Sequence, residues 1–95
     1  MGPDGHTASL FPDHPVLKVN QGLVTFVKDS PKPPPERVTL TLNTINQAKY
    51  KIAVVTGESK SNIVKEVVHD KNTKYPIGQV NELVWYLDKA AASKL

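Results

Sequence analysis

Ile52–Lys60 reads IAVVTGESK, and the fold follows from these nine residues. Ile52, Ala53, Val54 and Val55 form an unbroken apolar run. Such a run fits a strand covered on both faces, the usual state of a strand in a parallel sheet. Thr56-Gly57 ends it, because glycine admits the backbone path of a tight turn. A helix is predicted from Ser59 to His69, where Ile63, Val64, Val67 and Val68 share one face at three-to-four spacing. Strand, glycine turn and helix together make the repeating unit of an α/β sheet.

Toward the carboxyl end, Tyr75–Val80 is predicted as another short strand. Asn81 is placed to cap a last helix, with Leu83, Leu87 and Ala90 on its buried face and Val84 and Ala91 beside them. Toward the amino end, a short helix is predicted over Asn43–Lys49, capped by Asn43 or Thr44. Val38–Leu42, VTLTL, alternates with period two, and Leu23–Lys28, LVTFVK, is β-branched and aromatic; both read as strands. Asp29–Glu36, DSPKPPPE, is extended, since its prolines forbid a helix. PKPPP suits a polyproline ligand or, more simply, a stiff connection. Thr7–Phe11 is predicted as one helical turn stopped by Pro12.

Strands alternate with helices, so the expected fold is α/β: Rossmann-like, with a largely parallel sheet flanked by helices. The 95 residues suit one domain. A chain of this size buries roughly 60–65% of the surface its unfolded form exposes, so its core is modest. Three or four strands are few for a doubly wound sheet. Residues 1–95 therefore read as a single domain, the carboxyl-terminal half of a larger one and incomplete at its amino-terminal side.

Hydrophobic residues make up 39% and charged residues 22%, a globular rather than a disordered composition. With no cysteine, disulfides, thiol nucleophiles and cysteine zinc sites are excluded. The net charge of +3 is spread over single lysines, without a basic run or interleaved aromatics, which argues against nucleic acid. No apolar stretch approaches the ~20 residues of a membrane span. The chain ends Ser93-Lys94-Leu95, the tripeptide read by the peroxisomal import receptor. A cytoplasmic location is expected, with peroxisome or glycosome as the alternative.

The chemistry concentrates in Gly2–Pro12, GPDGHTASLFP. An imidazole can take a proton from water near neutral pH, so His6 suits proton abstraction, or else serves as a hydrogen-bonded loop histidine. Asp4, two residues earlier, can orient that imidazole, bind a substrate hydroxyl, or only stabilise the turn. Gly2, Gly5 and Thr7 are the candidate substrate- and phosphate-binding residues of the loop, glycine-rich backbone being a source of N–H donors. In Val55–Lys60 a strand gives way to a helix, where N–H groups attract phosphate and Lys60 adds a charge; a solvated lysine is the alternative. Arg37, the only arginine, can grip phosphate or simply stand exposed at a strand start. Asp13, His14 and His6 lack metal-ligand spacing, so no metal is expected.

Four blocks, GPDGHTASLFPDHP, SPKPPPERVTLTL, AVVTGESK and ELVWYLDKAAASKL, closely resemble the 6-phosphogluconolactonases, relatives of the sugar-phosphate isomerase-deaminases, and in the same order. The resemblance covers the carboxyl-terminal half of that family. Two departures are Asn43, where the family usually has proline, and a shorter stretch over Val80–Leu83. The resemblance implies hydrolysis of 6-phospho-D-glucono-1,5-lactone in the oxidative pentose phosphate pathway, without metal or organic cofactor. It implies His6 as general base, with Lys60 and Arg37 on the substrate phosphate. Alternatives are a non-catalytic fragment or paralogue that pairs with itself, the missing half or another chain, and a sugar-phosphate isomerase or deaminase.

Overall fold

A computed structural model describes all 95 residues. Strands β1 (Val24–Val27) and β2 (Arg37–Leu40) form an antiparallel pair, with Val24 opposite Leu40 and Phe26 opposite Val38. Helix α1 (Leu42–Gln47) leads to β3 (Ile52–Val55), which pairs in parallel with β4 (Val84–Leu87). Between β3 and β4 lie a 3-10 turn (Glu58–Lys60), helix α2 (Ser61–Val64), a π-turn (Lys65–His69) and a second 3-10 turn (Pro76–Gln79). The result is a partial α/β domain of two small sheets flanked by helical turns.

The boundary after β2 shows how local chemistry sets an element. VTLTL is expected to be strand through Leu42, yet Thr41 stops it. The Thr41 hydroxyl accepts the N–H of Thr44 at 3.1 Å and donates to the Gly22 carbonyl at 3.2 Å, so Thr41 caps α1. Neither Asn43 nor Thr44 is the cap. The expected helix over 59–69 is present as three joined pieces, and Ile63, Val64 and Val67 are buried along it as the spacing requires.

Two expectations at the carboxyl end are corrected. Tyr75–Val80 is not a strand: Pro76 opens a 3-10 turn, where its missing N–H costs nothing. The region after Asn81 is not a helix over Leu83–Leu87 but strand β4. Its alternation decides the matter: Trp85 and Leu87 pack inward, while Val84 and Tyr86 stand out. Val84 also finds a ladder partner in Ile52, and Tyr86 one in Val54. Asn81 caps nothing; its N–H donates to Asn46 Oδ1 at 2.7 Å. Helical turns begin only at Asp88, whose carboxylate accepts the N–H of Ala91 at 2.8 Å. Thr7–Phe11 is likewise no helical turn. Thr7 and Leu10 exchange backbone hydrogen bonds around a tight turn, with Ala8 at φ 50°.

The core is three small clusters: Leu10, Val16 and Val27; Val55, Val64 and Ala91; and Ile63, Val67 and Ile77. β3 was expected to be covered on both faces, and only one is. Ala53 and Val55 meet α2, whereas Ile52 and Val54 are 61% and 69% exposed. The hairpin repeats this pattern, with Phe26 64% and Val38 76% exposed on one face. Because paired strands put cross-strand partners on the same side, these residues form two bare apolar sheet faces.

Candidate active site

The loop Gly2–Phe11 closes on itself. The N–H of Gly2 donates to the His6 carbonyl at 2.9 Å, and the N–H of Gly5 to the Gly2 carbonyl at 3.0 Å. Gly5 has φ 81°, a left-handed conformation that favours glycine. A Cβ there would also strike the Tyr75 ring, at 2.6 Å from its nearest atom. Tyr75 is held in turn by its hydroxyl, which donates to Glu66 Oε2 at 2.8 Å. That contact pushes the Tyr75 phenol up from its ordinary range, with burial and the Glu66 charge acting in the same direction. The Gly5 carbonyl accepts the N–H of Ile77, and the Ser9 N–H donates to Thr39 Oγ1 at 3.1 Å. The loop is thereby tied to the Pro76–Gln79 turn on one side and to β2 on the other.

Inside this frame His6 and Asp4 are paired. Asp4 Oδ1 lies 2.5 Å from His6 Nδ1 and also accepts the His6 backbone N–H at 3.1 Å. Burial acts to raise the Asp4 carboxyl, but the bonds from the His6 ring and backbone outweigh it, and its pKa falls below the ordinary value. An ionised carboxylate only accepts, so Nδ1 carries the proton and Nε2 of the neutral ring keeps its lone pair. Nε2 has no hydrogen-bond partner in the protein. Gly2 lies directly beneath the ring, and a Cβ there would collide with Cε1 and Nδ1. Phe11, fully buried, meets the imidazole with centroids 4.7 Å apart.

The remaining candidates fall into two groups. Lys60 lies near the loop's start: burial first, and the Lys60 charge second, hold the Met1 amine below its ordinary value. Gly57, before it, has φ 96° and donates its N–H to both oxygens of Asp88 at 3.1 and 3.2 Å. Arg37 is differently engaged. Its Nε donates to the Pro34 carbonyl, and Nη2 to those of Lys32 and Pro33, at 2.8 to 3.0 Å, leaving only Nη1 without a partner. The N–H groups of Gly2, Gly5 and Thr7 are also engaged within the loop, so none is free for a substrate. The Thr7 hydroxyl has no partner, and Thr7 lines an apolar groove of about 470 Å³ with Leu40, Ile45, Ile52 and Val54.

Ser93 and Lys94 are exposed, Leu95 is 56% exposed, and Lys94 Nζ donates to Asn62 Oδ1 at 2.7 Å. No three His, Asp or Glu side chains converge to hold a metal. No helix is long and apolar enough to cross a membrane. Sequence reasoning missed Phe11, Tyr75 and Asp88 as supports of the site; Gly5, which packs on the Tyr75 ring, was the available signal for Tyr75.

The chain is 50% identical to 6-phosphogluconolactonase of Bos taurus over 100 residues, covering 100% of this chain and 39% of the relative. It is 47% identical to a probable chloroplastic 6-phosphogluconolactonase 4 of Oryza sativa, of which it covers 32%. Among solved structures, 6-phosphogluconolactonase from Trypanosoma brucei superposes with TM-score 0.79 at 33% identity, over 100% of this chain and 40% of that one. The enzyme from Thermotoga maritima gives 0.76 at 37% identity, over 92% and 39%. The chain thus spans about two fifths or less of the length of these relatives. The family model for glucosamine-6-phosphate isomerases/6-phosphogluconolactonase matches residues 1–85. With the match running through the His6 loop and β3 and ending within β4, the chain belongs to the glucosamine-6-phosphate isomerase/6-phosphogluconolactonase family.

Proposed function

We propose that this chain carries the general-base portion of a 6-phosphogluconolactonase, hydrolysing 6-phospho-D-glucono-1,5-lactone to 6-phosphogluconate in the oxidative pentose phosphate pathway. The observation that carries the reading is the unpartnered Nε2 of His6 behind an Nδ1 held by Asp4. Nε2 takes a proton from water, and the hydroxide adds to the lactone carbonyl. Collapse of the tetrahedral species breaks the ring C–O bond, and the imidazolium returns its proton to the leaving ring oxygen. Asp4 steadies the imidazolium meanwhile. Lys60 meets the substrate phosphate as a point charge. The names of the relatives, at 45–50% identity, favour the lactonase over the isomerase activity.

The bare sheet faces support a second proposal: they join this chain to the remainder of such a domain. Val24, Phe26, Val38 and Leu40 on the hairpin, with Ile52, Val54, Val84 and Tyr86 on the parallel pair, are each at least 48% exposed. Apolar faces of this extent mark an interaction surface. The relatives are more than twice as long, which supplies an occupant of matching kind.

The test is hydrolysis of freshly generated lactone by the purified chain, alone and with the amino-terminal remainder of the bovine relative, against the spontaneous background. Saturable acceleration that disappears in His6→Ala supports the lactonase. A folded sample without acceleration in either mixture overturns it and leaves the non-catalytic reading.

A further inference from the structure

We infer that Phe11 and Arg37 are positioning residues for the His6 imidazole, a stack that fixes the plane of the ring. The inference rests on His6 as the proposed base. Asp4 grips the imidazole at one nitrogen, which leaves the ring free to swing about that point. Gly2 bounds one side of it. Phe11 supplies the other restraint: its ring is 4.7 Å from the imidazole, tilted by 34°, and is itself 0% exposed.

The Arg37 guanidinium carbon lies 5.2 Å from the centroid of the same Phe11 ring. Surface arginines are usually mobile, and this one is not free to be. Three of its N–H groups donate to three consecutive carbonyls, of Lys32, Pro33 and Pro34. The proline loop is rigid in its own right and is closed by Ser30, whose N–H reaches the Pro35 carbonyl and whose hydroxyl reaches that of Lys32. A stiff loop therefore holds a planar cation against an aromatic ring, and that ring faces the imidazole. Lysine cannot substitute, because it has neither the plane nor the fork. The arrangement also accounts for an arginine whose Nε and Nη2 donors are spent on carbonyls, with Nη1 alone left open.

The experiment uses the full chain with isotope-labelled histidine and the variants Arg37→Lys and Phe11→Leu. Proton–carbon spectra report the His6 ring, with His69, which is 70% exposed in its side chain and pairs with Asp70, as a folding control. The stack predicts that Phe11→Leu removes the ring-current displacement of the His6 ring protons. It predicts that Arg37→Lys moves or splits the same signals, while His69 is unchanged in both. Unmoved His6 signals in Arg37→Lys, with a native amide spectrum, overturn the role of Arg37 even if Phe11→Leu fails to fold. In the lactonase assay, kcat falls by ten- to a hundredfold in Arg37→Lys at unchanged KM, the scale of a small misplacement of a reacting group. A raised KM at unchanged kcat makes Arg37 a phosphate contact instead and overturns the inference. Should His6→Ala leave the rate unaltered, the general-base reading fails, while the spectra still decide whether the stack exists.

Discussion

One carboxylate oxygen of Asp4 holds His6 at two points, the ring Nδ1 at 2.5 Å and the backbone N–H at 3.1 Å. The first bond selects the tautomer and the second fixes where the side chain leaves the backbone. Asp4→Asn keeps the size but allows an amide donor to face Nδ1, which favours the tautomer with its proton on Nε2. That nitrogen can then no longer accept a proton from water. Lactone hydrolysis is expected to fall by about two to four orders of magnitude, the usual contribution of a positioned base. Equal rates for Asp4→Asn and the parent chain would exclude this pairing from the mechanism.

The same pair has a signature in acid. The folded-state pKa of Asp4 is lowered from an ordinary value of 3.8, so its stabilising contribution is fully present above that value. It is lost as pH falls through the lower folded value. Thermal unfolding followed between about pH 5 and 2 should show a decline in the parent chain. That decline should be shallower in Asp4→Asn, and both chains should be flat near neutrality with respect to this group.

Tyr75 gives the opposite sign. Its folded pKa is raised from 10.0 by the bond to Glu66, so the stabilisation is present below pH 10 and disappears as pH rises through the folded value. Tyr75→Phe removes one hydrogen bond, at a cost of about 1 kcal/mol near neutrality. It also removes the corresponding alkaline loss, measurable as a smaller drop in melting temperature above pH 10. Because Gly5 packs on this ring, the variant also tests whether the loop depends on the ring or on its hydroxyl.

Gly2→Ala separates site geometry from folding. The added Cβ meets the imidazole and not the backbone, so the ring is the part that yields. Activity should fall by roughly a hundredfold, as for a small displacement of a reacting group, with little change in unfolding temperature. Activity retained at the parent level would mean that the ring is not confined from below.

Much of this was legible because it is local. IAVV and VTLTL became strands within two residues of expectation, and Asp4 and His6 sit two positions apart on a glycine turn, where contact is almost unavoidable. β4 was not legible. Leu83, Leu87 and Ala90 fit a helical face as well as VWYL fits a strand, and the choice belongs to the partner strand Ile52–Val55. The same holds for Arg37 and Phe11, which meet only after the hairpin register places the proline loop beside Gly2–Phe11. The engagement of the loop N–H groups was hidden for a similar reason: composition gives the donors, but only the closed turn shows where they point.

The bare sheet faces yield the last prediction. Val38 and Val54 are 76% and 69% exposed and lie on different sheets. In the isolated chain neither buries much, so Val38→Glu with Val54→Glu should alter its own stability by no more than about 0.5 kcal/mol per site, as for ordinary surface changes. At a joint with another sheet layer each glutamate would instead bury an unpaired charge, which is prohibitive. Sedimentation of the chain mixed with the amino-terminal remainder of the bovine relative should give a complex for the parent and none for the double variant. Recovery of lactone hydrolysis should follow the same pattern. If the double variant associates as well as the parent, the joint lies elsewhere. The apolar residues of the two faces would then need a different explanation.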